Sequence, residues 1–372
     1  MTTPATTPVF DEGIQKTIQE TLKGAYKERG HFNIIIAGRS GVGKSTLINA
    51  VFEGNFADTG QGRPVTQTTK EITKDGIPLT IFDTKGLEMA NYKETFGELE
   101  QLITARQKEP DVNRHVHAAW LCIHEDGRRV EPGETELHEM LANYMPVIGV
   151  ITKARSDNGF KSIVEGLLPQ ARNVVRVRAL PEELDDDQKL LPMGLKTLVE
   201  ATIEVIPEAV QRAFIAAQRV SLQLKKDRAN KIVYLASGAA AAAGVTPIPF
   251  ADAAIIVPIQ IGMLAKISSV FGLSVSDGLL KTLLAALIGT TGATIAGKTI
   301  VSSLLKFIPG VGTAVGAAIA GTTAAAITTT LGKIYITTLE LICDKAGDVP
   351  PTSDDIAREF KKLLSNNKPE QK

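Results

Sequence analysis

The sequence has little of several features that usually reveal a protein's class. Only two cysteines are present, Cys122 and Cys343, which is too few for a disulfide framework. The N-terminal stretch MTTPATTPVFDEG lacks the basic and then apolar pattern of a signal peptide. The 41 basic and 41 acidic residues cancel, so no global field favours nucleic acid or an acidic substrate. These absences predict a cytoplasmic protein that has no nucleic-acid partner and recognises its ligands locally.

The chain is long enough for two domains and its character changes along its length. Its 372 residues, 44% of them hydrophobic, can bury a sizeable core. From Val233 to Cys343 only eight of 111 residues are charged, against 22% for the whole chain. We predict four segments: a disordered start and a helix over 1–30, alternating strands and helices over 31–205, an apolar helical domain over 206–346, and an amphipathic tail over 347–372.

The segment 31–205 contains apolar runs typical of buried strands: FNIIIAG, PLTIFD, AAWLCIH, PVIGVIT and NVVRVRA. Near-continuous apolar strands separated by amphipathic helices indicate a parallel sheet that is covered on both faces. The predicted fold class is therefore α/β, with a mostly parallel central sheet. An all-α helical domain built from N-terminal and C-terminal segments accompanies it.

The motif GRSGVGKST (38–46) is the strongest chemical signal in the chain. It follows the predicted strand FNIIIA and opens a helix, so its backbone N–H groups and the helix dipole can surround phosphate groups. We predict that Lys44 bridges β- and γ-phosphate oxygens and that Ser45 gives a hydroxyl to Mg²⁺. The residues predicted to bind phosphate are Gly38, Ser40, Gly41, Val42, Gly43, Lys44, Ser45 and Thr46.

A second motif, IPLTIFDTKGLE (77–88), supports the first. It places Asp83 at the end of an apolar strand, where its carboxylate can hold a Mg²⁺-bound water. Gly86 follows three residues later, and its N–H can contact the γ-phosphate. Asp-x-x-Gly is weak by itself and becomes a strong indication after a P-loop.

The stretch GRPVTQTTKEI between these motifs offers Thr66, Thr68 and Thr69 as the hydroxyl that closes over Mg²⁺. We favour Thr66, because the residues after it can then form a strand that turns at Asp75-Gly76. Thr68 and Thr69 then become strand residues. The predicted Mg²⁺ ligands are Ser45, Thr66 and Asp83.

With these stretches, residues 31–205 resemble the Era-like branch of the translation-factor-related P-loop GTPases. The segment VTPIPFADAAIIVPIQIGMLAKI (245–267) resembles an uncharacterised bacterial helical domain that is fused to such G domains. The overall plan is similar to that of the immunity-related GTPases. The resemblance implies GTP and GDP as ligands, Mg²⁺ as cofactor, nucleotide-dependent homo-oligomers and action near a membrane surface.

The stretch ITKARSD (151–157) matches only half of the family's base-reading pattern, (Asn or Thr)-Lys-x-Asp. Arg155 stands where the family has the aspartate that reads guanine, and a guanidinium cannot accept a hydrogen bond. Asp157 comes two residues late, although a one-turn shift would bring it over the base. The residues predicted to contact the base are Thr152, Lys153, Asp157 and Ala179. A guanine site is favoured, and a relaxed or adenine-tolerant site is the alternative.

No catalytic residue can be assigned from the sequence. Related GTPases orient the attacking water with a glutamine just after Asp-x-x-Gly, where this chain has Leu87. Leucine cannot hydrogen-bond to water, so intrinsic hydrolysis is expected to be slow. Two function classes follow: a GTP-hydrolysing switch or mechanoenzyme, and a nucleotide-stabilised scaffold or membrane anchor with negligible turnover.

The helical domain contains a stretch without charge, 307–332, which is long enough to span a bilayer. Eighteen of these 26 residues are Gly, Ala or Thr, so the stretch is only weakly hydrophobic. A compact helical bundle is favoured over membrane insertion. A basic cluster just before the apolar region (Lys225, Lys226, Arg228 and Lys231) offers a face for anionic lipid or a solvated helix surface.

Overall fold

In the computed structural model the chain forms two units, one of residues 29–221 and one of residues 1–28 with 222–372. We call them the sheet unit and the helical unit. The structure describes residues 12–53, 56, 63–64, 69–84, 92–184, 188–243, 251–273, 278–280, 283, 321–346 and 351–366. The statements below concern these residues.

The sheet unit alternates strands and helices. Its strands are β1 (Phe32–Gly38), β2 (Arg63–Pro64), β3 (Thr69–Thr73), β4 (Leu79–Thr84), β5 (Ala118–His124), β6 (Val147–Thr152), β7 (Asn173–Arg176), β8 (Glu182–Glu183) and β9 (Lys189–Leu190). Its described helices of more than one turn are α2 (Lys44–Val51), α3 (Tyr92–Gln107), α4 (Pro132–Ala142), α5 (Phe160–Leu167), α6 (Leu195–Val205) and α7 (Glu208–Ala217).

A seven-stranded sheet of order β2-β3-β4-β1-β5-β6-β7 forms the centre of this unit. The pairs from β4 through β7 are parallel, whereas β3 runs antiparallel to β4 and β2 antiparallel to β3. The predicted α/β class with a mostly parallel sheet is confirmed. In such a sheet the carboxyl ends of the parallel strands share one edge, which is where ligands bind.

Helices cover both faces of the sheet, as near-continuous apolar strands require. On one face the Trp120 ring stacks on Phe52 at 5.5 Å, and its Nε1 donates to Thr202 Oγ1 of α6 at 3.1 Å. On the other face alternate residues of β5, such as Leu121, pack with Leu99 of α3 and Leu137 of α4. The resulting rigid sheet fixes the loops at its edge.

The antiparallel hairpin of β3 and β4 turns where the sequence predicts, at Asp75-Gly76. Gly76 has φ +82°, a conformation that glycine adopts readily. Thr69 lies in β3, opposite Thr84 of β4, and is 2% exposed. Its expected position as a strand residue is thus observed.

The helical unit is built from both ends of the chain. Its described helices are α1 (Glu12–Arg29, whose last residue falls in the sheet unit), α8 (Leu222–Ala243), α9 (Ala251–Val270), α10 (Gly321–Ala346) and α11 (Ser353–Asn366). Ala25 of α1 joins the core of this unit, and Glu28 pairs with Lys266 of α9 at 2.9 Å. In the same core the Tyr335 ring meets Phe360 of α11 edge to face at 5.7 Å. The predicted all-α domain of N-terminal and C-terminal segments is confirmed.

Close packing between α8 and α10 depends on a small residue. A Cβ on Gly332 would lie 2.5 Å from Val233 Cγ2 and 3.0 Å from Met263 Sδ. Small residues let helices approach closely, in a membrane or in a tight bundle. Polar groups inside this bundle pair with each other, as Ser268 Oγ and the Tyr335 hydroxyl do at 2.6 Å.

Two features of the structure differ from the expectations above. The sequence predicts a domain boundary after residue 205, whereas by its contacts α7 groups with the sheet unit. Phe214 of α7 packs edge to face on Phe32 of β1 at 5.0 Å, because the sheet face needs an apolar cover there. The basic cluster is also partly internal: Lys225 is 3% exposed and donates to the Phe271 carbonyl, and Lys226 pairs with Glu340 at 2.6 Å.

None of the described helices combines the length and the apolar character that crossing a bilayer requires. Of the uncharged stretch 307–332, residues 321–332 begin α10, and residues 307–320 lie outside the described part of the chain.

Candidate functional site

The P-loop lies between β1 and α2, at the carboxyl edge of the sheet. Its three glycines all have positive φ: +143° at Gly38, +73° at Gly41 and +104° at Gly43. A Cβ on Gly38 would lie 2.4 Å from the Cys122 carbonyl oxygen of β5. Glycine is therefore required at this position both for the backbone conformation and for the close approach of the neighbouring strand.

Lys44 is the first residue of α2 and is 9% exposed. Its Nζ donates to the Gly38 carbonyl at 2.8 Å and to the Arg39 carbonyl at 3.2 Å, so the ammonium lies within the curve of the loop. Ser45 and Thr46 follow it on the exposed first turn of α2. This arrangement presents an ammonium group and hydroxyl groups at one helix N-terminus, which suits a polyphosphate.

Asp83 comes near the end of β4, directly beside β1, with Ile36 as its partner in the register. Its Oδ1 is buried and has no hydrogen-bond partner in the described part of the chain. Burial raises the pKa of this carboxyl, although the nearby Lys44 and Lys70 lower it. A buried carboxylate oxygen without a partner costs stability, and a cation or an ordered water would satisfy it. Asp83 and the Ser45 hydroxyl therefore fit Mg²⁺, an oxygen-seeking ion that keeps several waters.

The buried and unpartnered Asp83 oxygen leads to a prediction for Asp83→Asn. At neutral pH the variant should be more stable than the parent by about 1 kcal/mol without nucleotide, because it removes an uncompensated buried charge. Since the folded pKa is raised, the gain should vanish in acid, where the parent carboxyl is protonated in both states. Denaturant titrations at the two pH values measure this difference.

The same variant should bind Mg²⁺-nucleotide at least tenfold more weakly, because it loses a carboxylate that serves the cation. Calorimetry in Mg²⁺ and in EDTA provides the control: the parent and the variant should converge in EDTA. Equal affinities in Mg²⁺ would mean that Asp83 has no part in holding the ion.

Thr152 joins the P-loop to the base side of the site. Its Oγ1 lies 2.6 Å from the Val42 carbonyl and 3.1 Å from the Ile123 carbonyl, and it is buried. The residue that follows, Lys153, is exposed and has φ +52°. Thr152 thus fixes the loop from the end of β6, and Lys153 projects from a turn just beyond the sheet edge.

A cavity of about 260 Å³ lies next to the P-loop at this edge. Its lining includes five of the residues predicted from sequence to contact phosphate or base: Gly43, Thr46, Thr152, Lys153 and Ala179. A continuous run from Val177 to Glu182 forms one wall. The structure therefore brings together, around one cavity, residues that are far apart in the sequence.

Asp157 does not line this cavity, although the sequence predicts that it reads the base. Its Oδ1 accepts from the Lys161 N–H at 2.9 Å and lies 3.5 Å from Arg176 Nε. It therefore caps the start of α5, where a carboxylate satisfies an unpaired N–H group. The one-turn shift needed to bring it over the base does not occur.

Glu125 is a supporting residue that the sequence analysis missed. It is fully buried, and its carboxylate accepts from the N–H groups of Arg155 and Ser156 and from Arg176 Nε at 2.6 Å. Burial by itself would raise its pKa, but these hydrogen bonds hold the pKa below its usual range. Glu125 shapes the loop after β6. Its burial distinguishes it from other acidic residues, and the sequence does not show that burial.

Arg178 has a similar role and lines the cavity itself. Its side chain donates to the Ala154 carbonyl at 2.8 Å and to the Leu191 carbonyl at 2.7 Å. It is 8% exposed and so ties the loop after β6 to the segment around β9. The predicted switch residues Thr66 and Gly86, and Leu87 with them, lie outside the described residues.

Two family models match the chain: one lies within the sheet unit, and the other begins in α7 and extends through the helical unit. Residues 33–153 match the 50S ribosome-binding GTPase family, and residues 210–367 match a domain of unknown function, DUF697. Together with the sheet order and the P-loop geometry, the first match decides the nature of the sheet unit. It has the P-loop GTPase fold. The second match agrees with the predicted uncharacterised helical partner domain.

The alignments with curated relatives include only part of this chain and part of each relative. Septin-9 of Mus musculus is 29% identical over an alignment of 167 residues that covers 38% of this chain and 29% of septin-9. Magnetosome membrane protein 22 of Magnetospirillum gryphiswaldense is 33% identical over 124 residues, which are 33% of this chain and 62% of that protein. The chain thus aligns with less than a third of septin-9.

Solved structures with a similar arrangement include Toc33 from Arabidopsis thaliana with Mg²⁺ and GMPPNP, which is 18% identical and has a TM-score of 0.32. The aligned part is 55% of this chain and 93% of Toc33. Era in complex with MgGDPNP and 16S ribosomal RNA is 16% identical with a TM-score of 0.31, over 48% of this chain and 58% of Era.

Proposed function

We propose that the protein is a slow GTPase switch whose nucleotide state acts on the helical unit. The observation that carries the proposal is the buried Asp83 oxygen without a partner, which lies beside the P-loop Lys44. A carboxylate in that state suits a bound cation, and a Mg²⁺ ion on a GTP polyphosphate would neutralise charge that develops at the γ-phosphate. Gly43 to Thr46 would hold the phosphates, and the neighbouring cavity would hold the nucleoside.

Slow hydrolysis follows from the residues near the γ-phosphate. Leu87 replaces the glutamine that orients water in related GTPases and cannot hydrogen-bond to it. Two nearby basic residues already contact other groups of the chain. Arg39 pairs with Glu131 at 3.2 Å, and the Arg128 guanidinium donates to the Ser156 and Asp157 carbonyls. A water-positioning group from a second copy would then make hydrolysis depend on self-association.

The output of the switch is proposed to be self-association at a membrane surface. The resemblance of the overall plan to the immunity-related GTPases motivates the proposed self-association. The name of magnetosome membrane protein 22 motivates the proposed membrane surface. The helical unit presents no membrane-spanning helix among its described residues, so association with a surface is the form that fits them. Cytoplasmic protein would then reach the membrane only in one nucleotide state.

Multiple-turnover phosphate release at increasing protein concentration tests the proposal. The rate per molecule should rise with concentration, and Lys44→Ala supplies the blank. A non-hydrolysable GTP analogue, compared with GDP, should also change hydrogen exchange in α8 and promote sedimentation or binding to anionic vesicles. A flat, near-zero rate with exchange changes confined to the sheet unit would instead support the scaffold alternative.

A further inference from the structure

The base end of the nucleotide cavity has an arginine where the family pattern has its reading carboxylate. Arg155 follows Thr152 and Lys153 at the position of that aspartate. Guanine presents N1–H and N2–H₂ as donors on one edge, so a guanine-specific site needs an acceptor there. Another acceptor must take its place if the site distinguishes guanine, and a carboxylate can accept from both donors at once.

Two acidic residues near this loop are excluded by their contacts. The Glu125 carboxylate accepts from two backbone N–H groups and from Arg176, and it is fully buried beneath the loop. Asp157 caps α5 and does not line the cavity. Both carboxylates shape the loop after β6, and neither lines the cavity.

Among the described residues, Asp126 and Glu182 are the two carboxylates that line the cavity. Asp126 lies in the turn directly after β5, 3.6 Å from His124 Nε2, and its side chain is 44% exposed. Glu182 ends the wall that begins at Val177 and includes Ala179, whose N–H is the predicted base contact. Glu182 is therefore on the wall that the base is expected to face.

Glu182 is also held in one orientation by the arginine that replaces the aspartate. Arg155 Nε donates to Glu182 Oε2 at 2.9 Å, and Arg155 Nη2 donates to Oε1. A carboxylate offers about four lone-pair positions, so this two-point contact leaves about two for a further donor. Such paired contacts fix geometry as well as charge.

We propose that Glu182 is the carboxylate that reads the guanine edge and that Arg155 is its positioning residue. The acceptor missing from the loop after β6 is supplied from the segment after β7, and Arg155 ties the two segments together. The inference deepens the proposed function and rests on the nucleotide site described above.

The test compares diphosphates of guanosine, inosine, xanthosine and adenosine in Mg²⁺ by calorimetry. The parent should prefer GDP to IDP, which lacks the exocyclic amine. Glu182→Gln should weaken GDP by roughly 10- to 100-fold, since a charge-assisted acceptor is lost, and should leave ADP unchanged. It should also shift preference toward XDP, because the new amide can donate to the C2 carbonyl of xanthine. Structural damage alone would not produce that gain.

Glu183→Gln is the matched control. Glu183 is the neighbouring residue of β8, is 84% exposed, pairs with Lys189 at 3.6 Å and does not line the cavity. Its base preference should equal that of the parent. Arg155→Ala should reduce the GDP preference without affecting ADP.

The outcomes separate the inference from the proposed function. Failure of the parent to bind any of the four nucleotides would refute the nucleotide site itself. A parent that binds GDP and ADP equally, or a Glu182→Gln variant that keeps the GDP preference, would overturn only the role of Glu182. A switch toward XDP in Asp126→Asn and not in Glu182→Gln would assign the reading to Asp126.

Discussion

Lys44→Ala is expected to weaken Mg²⁺-GTP binding by about 100-fold or more, since each lost charge-assisted hydrogen bond costs about 1.5–3 kcal/mol. The Nζ of Lys44 already lies within the curve of the P-loop, 2.8 Å from the Gly38 carbonyl. It can therefore meet the β- and γ-phosphates with little rearrangement. Calorimetric titration with a non-hydrolysable analogue measures the loss.

Lys161→Ala is a suitable control, because Lys161 lies on α5 and pairs with Glu165 at the surface at 3.5 Å. Its nucleotide affinity should match that of the parent. Ser45→Ala should resemble Lys44→Ala only when Mg²⁺ is present. Unchanged affinity in Lys44→Ala, with an unaltered unfolding curve, would mean that the P-loop does not bind phosphate in this protein.

Gly194→Ala is expected to lower the free energy of unfolding of the sheet unit strongly. Gly194 precedes α6 with φ +75°, and a Cβ there would lie 1.9 Å from the Arg176 carbonyl oxygen. Strained backbone and steric overlap each cost about 1–3 kcal/mol, so a loss of about 3 kcal/mol or more is expected. Arg176 also holds Glu125, so the loop after β6 should be disturbed as well.

Trp120, the only tryptophan of the chain, is fully buried in the sheet unit and reports its unfolding. Denaturation followed by its fluorescence should show the loss for Gly194→Ala. Gly97→Ala provides the contrast, since Gly97 lies inside α3 and a Cβ there meets nothing within 4 Å. That variant should gain about 0.5–1 kcal/mol, the usual helical advantage of alanine over glycine. Similar stabilities of the two variants would contradict the close approach at Gly194.

The sheet unit could be predicted closely because its signals are local. An apolar run such as FNIIIAG must be buried on both faces, and the spacing of 38–46 between a strand and a helix is typical of a P-loop. The assignment of α7 could not be predicted in the same way. Its amphipathic pattern fits either unit, and the contact of Phe214 with Phe32 is what places it on the sheet.

The sequence alone determined the P-loop, the strand that carries Asp83 and the replacement of the base-reading aspartate by Arg155. Each of these depends only on spacing along one strand or loop. Tertiary structure alone decided how the base end is built. It turned Asp157 into a helix cap, buried Glu125 beneath the loop and brought Glu182 to Arg155, 27 residues away in the chain. Pairing between distant segments depends on how strands and loops meet at the sheet edge, and no local pattern in the sequence encodes that meeting.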